Sequence, residues 1–251
     1  MHHAFAITML TSAWISQGCT NIEQPILFQT ISLSAESLET IVHPSFLENP
    51  QMAEAYRQRG LQARQQGDFT AAIATLKTAV VLAPRVVSGY VILGWTQHLA
   101  GQRDEAIATL TQALKKDSQH VPALNALGIA YLVKGDLEQA ISTHIQAKNL
   151  QADNEIAHYN LSLAYQRVPN IPAAIKHANR ATELEPYNPH PWVALALAHW
   201  SKQDSEAARR AYQQAIQLDG RYFDAYHLAH LTQAGFSPDQ IQSVEEIRTR
   251  F

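Results

Sequence analysis

A spacing of 34 residues between small side chains constrains this chain more than any other feature of its sequence. Units that begin at Ala53, Val87, Val121, Glu155 and Pro189 align without insertion or deletion. The twentieth position of every unit is alanine: Ala72, Ala106, Ala140, Ala174 and Ala208. The twenty-seventh is alanine again: Ala79, Ala113, Ala147, Ala181 and Ala215. The eighth is small throughout: Gly60, Gly94, Gly128, Ser162 and Ala196. A repeat of this length predicts one supersecondary motif, stacked several times.

The small residues predict two helices per unit that approach each other closely. A glycine inside a helix costs about 1 kcal/mol relative to alanine, so Gly128 needs a packing reason. We expect its helix to meet the second helix of the unit near Ala140. Gly67, Gly101 and Gly135 fall between the two helices, where a left-handed C-terminal cap favours glycine. Unit four instead has Pro169 at this place, which predicts a differently bent turn.

The small–Ala–Ala spacing over residues 53–222 resembles the tetratricopeptide repeat (TPR) family. The resemblance implies an all-α fold, an α-solenoid of stacked antiparallel helix pairs that forms a right-handed superhelix with a concave face. His144 and Ala178 stand where the family usually has a large residue, so we expect looser packing there.

The segment after the fifth unit, residues 223–251, begins like a sixth unit and then departs from the pattern. His230 and Gln242 occupy places that require small residues. Ser237, Pro238 and Gln240 nevertheless predict a helix start with a capping box. We interpret the segment as a modified helix pair that caps the stack, because terminal repeats have one face in water.

The first 19 residues contain an apolar stretch, Ala4 to Ile15, that suits a secretory signal and ends near Cys19. This arrangement resembles a bacterial lipoprotein signal in which Cys19 is lipidated, although Ser16 and Gln17 depart from the preferred residues. The expected location is an exported or membrane-attached protein of a bacterium, on the periplasmic or lumenal side. The alternatives are a helix that packs on the solenoid with a buried thiol, and a cytoplasmic protein.

We expect residues 20–52 to form a separate N-terminal segment with a short helix after Ser34. Its apolar content over residues 22–48 is too high for a disordered chain. It either covers the end of the stack or lies in the groove as an internal ligand. Asn49 and Pro50 start the first helix of unit one.

Composition argues against several functional classes. The net charge is -3 without a block of like charges, so we expect no nucleic-acid partner. The single cysteine excludes paired-cysteine zinc sites. His227 and His230 share a helix face, but no carboxylate or cysteine stands at ligand spacing, which argues against a metal. We expect no catalytic residue and no cofactor, because the repeats use most of the chain and no phosphate-binding loop is present.

The resemblance places positions two, five, nine and twelve of each first helix on the concave face. We call this surface the groove, and its candidate binding residues are Arg57, Leu61, Arg64, Val91, Trp95, Ile129, Leu132, Tyr159, Leu163, Val193, Leu197 and Trp200. Trp95 and Trp200 are the expected anchors for a partner. Arg57 and Arg64 either receive an acidic group or pair with Glu54. The alternative is that the apolar stripe only packs first helices against one another.

Chaperone-binding relatives grip a carboxylate with Lys, Asn and Arg, and this chain lacks that set. The sequence therefore predicts a non-catalytic scaffold or assembly factor. Its partner would be a protein, an apolar peptide or helix from a membrane-associated complex, with membrane contact only through the N-terminal anchor. Alternatives are a pilotin-like or protease-adaptor lipoprotein, or a histidine-based metal site.

Overall fold

The computed structural model describes residues 48–250, and it contains only helices and their connections within that range. The signal-like segment, Cys19 and residues 20–47 lie outside the described residues, and the predictions for them stay predictions. The α-helices are α1 (Pro50–Gln65), α2 (Phe69–Leu82), α3 (Val87–Leu99), α4 (Arg103–Lys116), α5 (Val121–Lys134), α6 (Leu137–Leu150), α7 (Glu155–Arg167), α8 (Ile171–Leu184), α9 (Pro189–Ser201), α10 (Ser205–Leu218) and α11 (Pro238–Arg250). Each consecutive pair from α1 to α10 packs together, which confirms the all-α solenoid of helix pairs.

Side-chain caps start most of these helices. Asn49 accepts a hydrogen bond from the backbone N–H of Met52 at 2.9 Å, and Asp68 does the same for Ala71. The cap satisfies one of the backbone donors that the first turn leaves unpaired. Most helix starts are therefore encoded locally, whereas α3 and α4 begin without a side-chain cap.

The turns between paired helices follow the prediction in units one to three. Gly67, Gly101 and Gly135 have φ of +80°, +77° and +93°, the left-handed region that glycine enters without strain. The turn of unit four contains no residue in the left-handed region, as Pro169 predicts. In unit five Gln203 takes the left-handed conformation itself, with φ of +66°.

The eighth residue of a unit has to be small because a side chain of the second helix packs against its backbone. A Cβ added to Gly94 would stand 2.7 Å from Cγ of Leu110, closer than real contacts allow. A Cβ added to Gly128 would stand 2.5 Å from Nε2 of the His144 imidazole. His144 is fully buried. The His144 ring fills the space that Leu110 fills in unit two, so the looser packing predicted at His144 is not found.

The chain leaves the repeat after α10. Two short 3-10 helices, Gly220–Phe223 and Ala225–Thr232, replace the first helix that a sixth unit would have. The first of them contacts α10, where the Tyr212 hydroxyl donates to the Tyr222 carbonyl at 2.8 Å. A turn at Gly235, with φ of +88°, then redirects the chain into α11. The predicted capping box is confirmed, since Ser237 and Gln240 exchange bonds of 3.0 and 3.3 Å.

Candidate functional site

The groove residues differ in exposure along the stack. Leu61, Trp95 and Ile129, the ninth residues of units one to three, are all half-buried. Leu163 and Leu197, the ninth residues of units four and five, are 0% and 1% exposed. The same position in the repeat thus has two environments, and the change falls between α5 and α7.

The chain's own C-terminal segment, residues 234–250, causes the burial. A Cβ at Gly235 would lie 3.7 Å from the Leu163 side chain and 3.8 Å from that of Leu132. The Tyr159 hydroxyl donates to the Ala234 carbonyl at 2.6 Å. Gln240 donates to the Leu163 carbonyl at 3.2 Å. These contacts place the start of the C-terminal segment on the first helices of units three and four.

Helix α11 extends this cover over unit five. Phe236, Val244 and Ile247 are 3%, 0% and 0% exposed and belong to one apolar cluster with Leu132, Leu163, Val193 and Leu197. At the far end, the Arg250 guanidinium lies over the Trp200 ring, 5.3 Å from its centroid. We call Leu132, Tyr159, Leu163, Val193, Leu197 and Trp200 the covered section of the groove. The C-terminal segment buries Leu132, Leu163, Val193 and Leu197, whereas Tyr159 and Trp200 stay half-buried beside it.

The remaining part, the open section, consists of Arg57, Leu61, Arg64, Val91, Trp95 and Ile129, all half-buried. Arg57 forms a salt bridge with Glu54, one of the two predicted alternatives. Arg64 instead donates to the Thr96 hydroxyl across 3.5 Å. Glu54 thus balances the charge of Arg57, whereas the threonine hydroxyl does not balance that of Arg64.

Trp95 is the largest side chain of the open section. Its ring stacks on His98 with 5.0 Å between centroids and 19° between planes. Part of its surface packs with Val91 against the apolar cluster of α5 that contains Ala126 and Ala130. Trp95 therefore combines a fixed ring orientation with a remaining exposed surface, as an interface anchor requires.

A cavity of about 240 Å³ lies where the open section meets the C-terminal segment. Its lining consists of Trp95, Ile129, Glu155, Ile156, Tyr159, Asn160, Ala181, Glu185, Asn188, Pro191, Gln233, Ala234 and Gly235. The structure thus brings Trp95, Ile129 and Tyr159 of the predicted groove together around one space. Trp200 does not line this space, so its role as a second anchor stays a prediction.

The histidines near the C-terminus pack against one another and do not converge on a ligand position. The rings of His227 and His230 stack with centroids 3.9 Å apart. Nε2 of His230 lies 3.0 Å from the Tyr222 hydroxyl and 3.4 Å from Nε2 of His190. Within residues 48–250 no group of three or more histidine, cysteine, aspartate or glutamate side chains is placed to hold a metal ion.

A second histidine pair connects α7 and α8. His158 and His177 approach to 3.0 Å between their Nδ1 atoms, and Nε2 of His158 faces the Ala152 carbonyl at 3.1 Å. Burial, together with the neighbouring His158 and Lys148, lowers the pKa of His177 to about 4. Both rings are neutral near pH 7, so this pair acts as a hydrogen-bonded contact between helices.

The sequence did not lead us to predict that residues 234–250 cover part of the groove, or that Glu155 and Glu185 line the cavity. Phe236, Val244 and Ile247 are a signal for the cover, because they give a helix outside the repeats an apolar face. Glu155 and Glu185 carried no such signal. They occupy the ends of helices α7 and α8, where acidic residues are common on any surface.

None of the helices between residues 48 and 250 has the length and apolar character needed to cross a membrane.

Comparison with known families matches the tetratricopeptide repeat at residues 35–88, 98–162 and 189–222. Among solved structures, a MamA protein is 23% identical over 68% of this chain and 93% of its own, with a TM-score of 0.58. A TPR protein of Thermus thermophilus, TTC0263, is 21% identical over 73% and 98%, with a TM-score of 0.59. MamA from Desulfovibrio magneticus RS-1 is 19% identical over 67% and 95%, with a TM-score of 0.60. No curated protein matches the sequence. At these identities the structures support the fold.

Proposed function

The chain belongs to the tetratricopeptide repeat family, and from this premise we propose that it is a non-catalytic scaffold that binds a protein partner in the open section of its groove. Repeats of this family build protein-interaction surfaces, while the partner is decided by the side chains of the individual groove. The proposed partner is an apolar peptide or helix. Its association with a membrane complex rests on the lipoprotein-like sequence around Cys19.

The observation that carries the proposal is the helix that already lies in the groove. Helix α11 contacts α9 through an apolar face that contains Val244 and Ile247. Gln240 of the same helix uses a backbone carbonyl of the groove as a hydrogen-bond acceptor. A groove that accommodates an amphipathic helix over units four and five has suitable chemistry for another over units one to three.

The open section offers the surface for that second occupant. Leu61, Trp95 and Ile129 continue the line of Leu163 and Leu197 on successive first helices, yet they stay half-exposed. Exposed apolar side chains arranged in a row mark interaction surfaces. A large aromatic residue in such a row contributes most to binding, so Trp95 is the expected anchor.

The test begins with a photo-reactive amino acid at position 129 in the full chain, compared with one at exposed Lys77 on α2. A protein cross-linked from position 129 and not from position 77 is then purified as the probe. Trp95→Ala should weaken its affinity by about 2 kcal/mol or more, roughly 30-fold. Tyr187→Ala, a truncation of a side chain that is 87% exposed and outside the groove, should leave affinity unchanged.

Circular dichroism of both variants separates binding from folding. If Trp95→Ala unfolds the chain, Ile129→Asp replaces it as the test, since Ile129 is half-buried in the same section. Equal affinities of wild type and variants would contradict a partner site in the open section.

A further inference from the structure

The cavity between the open section and the C-terminal segment has the size of a side-chain pocket. Sites for drug-sized molecules span roughly 300–1,000 Å³, and this cavity has about 240 Å³. Trp95, Ile129, Ile156 and Tyr159 supply apolar walls. The space therefore suits one large apolar side chain of a peptide more than a free small molecule.

The lining has acidic groups and no basic ones. Glu155 and Glu185 are its charged residues, and no lysine, arginine or histidine is among the lining. Glu155 is half-buried and forms no salt bridge with any residue of the described chain. Glu185 accepts a hydrogen bond from Asn188 Nδ2 at 2.6 Å, which orients its carboxylate without neutralising it.

The surroundings increase the negative potential on the Glu185 side. Glu185 follows the last residue of α8 as its C-cap, where the helix dipole already presents partial negative charge. His190 lies close enough to Glu185 for the two side chains to interact electrostatically. Burial and the nearby His230 lower the pKa of His190, so its imidazole is neutral near pH 7 and supplies no counter-charge.

We propose that this cavity recognises a peptide in which a large apolar residue is flanked by lysine or arginine. The apolar side chain would occupy the space beside Trp95 and Ile129. The basic side chain would pair with Glu155, with Glu185 adding to the attraction. This inference rests on the proposed function of the groove and specifies the chemistry of its partner.

Charge complementarity favours this partner over an acidic one. Arg57 of the open section is paired with Glu54, and neither Arg57 nor Arg64 lines the cavity. The carboxylate of Glu155, by contrast, has no partner of opposite charge within residues 48–250. An acidic peptide would meet repulsion at the cavity, where a basic peptide gains a charge-assisted hydrogen bond.

A random heptapeptide library displayed on phage and selected on the full immobilised chain tests the proposal. Selected peptides should be enriched in a large apolar residue next to lysine or arginine. The most enriched peptide is then synthesised, and its Kd is measured for wild type, Glu155→Gln, Trp95→Ala and the control Glu138→Gln. Glu138 is an exposed acid of the first turn of α6 that does not line the cavity.

Glu155→Gln should raise the Kd at least fivefold at low salt, with a smaller ratio at high salt because ions screen the pair. Trp95→Ala should raise it at least tenfold, and Glu138→Gln should have no effect. Peptides that are acidic or neutral, or that depend on Trp95 and not on Glu155, overturn the basic-partner inference and leave the groove function standing. Failure to select any peptide, or binding independent of Trp95, counts against both.

Discussion

Leu61 and Leu163 occupy the same position of their units, and their environments differ. Leu61 lies in the open section and is half-buried, whereas Leu163 is completely buried beneath the C-terminal segment. The repeat determines which face of the first helix carries each side chain. Whether that face meets solvent or protein depends on residues 234–250, which do not follow the repeat. Two leucines with equal repeat positions thus have different surroundings, because only Leu163 is covered by the C-terminal segment.

The polar contacts of the two sections differ in the same way. In the covered section, Gln240 and Tyr159 form hydrogen bonds that connect the groove to the C-terminal segment. In the open section, the bonds of Arg57 and Arg64 within residues 48–250 go to groups on α1 and α3. A surface that satisfies its polar groups locally keeps its apolar residues available to another molecule.

The largest expected effect comes from shortening the two leucines. Leu163→Ala should destabilise the fold by about 2–5 kcal/mol, because it leaves a cavity among fully buried side chains. Leu61→Ala should cost about 1 kcal/mol, since its side chain is only half-buried. Urea denaturation followed by circular dichroism measures both. Equal losses would mean that the two sections are equally buried in solution.

The second prediction compares the contact between the two helices of unit three with the same contact in unit two. Both ring nitrogens of the buried His144 lack a partner with good hydrogen-bond geometry, although the Gly128 backbone lies close to the ring, whereas the corresponding residue of unit two is Leu110. His144→Leu should stabilise the fold by about 1–3 kcal/mol, because it removes an unsatisfied buried polar group. Thermal and urea denaturation at pH 7 test this. Destabilisation would contradict an unsatisfied ring.

The same residue predicts a pH dependence. Burial lowers the pKa of His144 from 6.5 to about 3, so the unfolded chain binds a proton more readily than the folded chain. Stability should therefore fall as the pH decreases from about 6.5 towards 3, by at most about 1.4 kcal/mol per pH unit from this group. His144→Leu should reduce the slope. The remaining slope includes His177, whose lowered pKa acts in the same direction.

The smallest expected effect concerns the attachment of the C-terminal segment. Gln240→Ala removes the bond to the Leu163 carbonyl and the capping contact with Ser237, and should cost about 1 kcal/mol. Gln242→Ala, on the exposed side of α11, is the matched control. Hydrogen exchange should become faster in α11 and around Leu163 for the first variant alone. Unchanged exchange in both regions would show that Gln240 does not hold the segment in the groove.

Much of the fold could be predicted from the sequence, because the contacts that determine it are local and repeat from unit to unit. The cap at Asn49, the left-handed Gly67 and the box formed by Ser237 and Gln240 each depend on residues a few positions apart. The small residues at Gly60 and Gly94 depend on one neighbouring helix of the same unit. Short sequence separation makes such contacts readable from spacing alone.

The candidate site was less predictable, because it depends on contacts between distant parts of the chain. Tyr159 reaches Ala234, and Leu163 meets Gln240, across 75 and 77 residues. An apolar face on α11 was visible in the sequence, but several apolar surfaces could have received it. The sequence by itself determined the helix pairs and the side of each helix that faces the groove, because periodicity fixes those directions. The tertiary structure alone decided which groove residues are covered and where Glu155 joins Trp95, because burial depends on which surfaces the whole chain brings together.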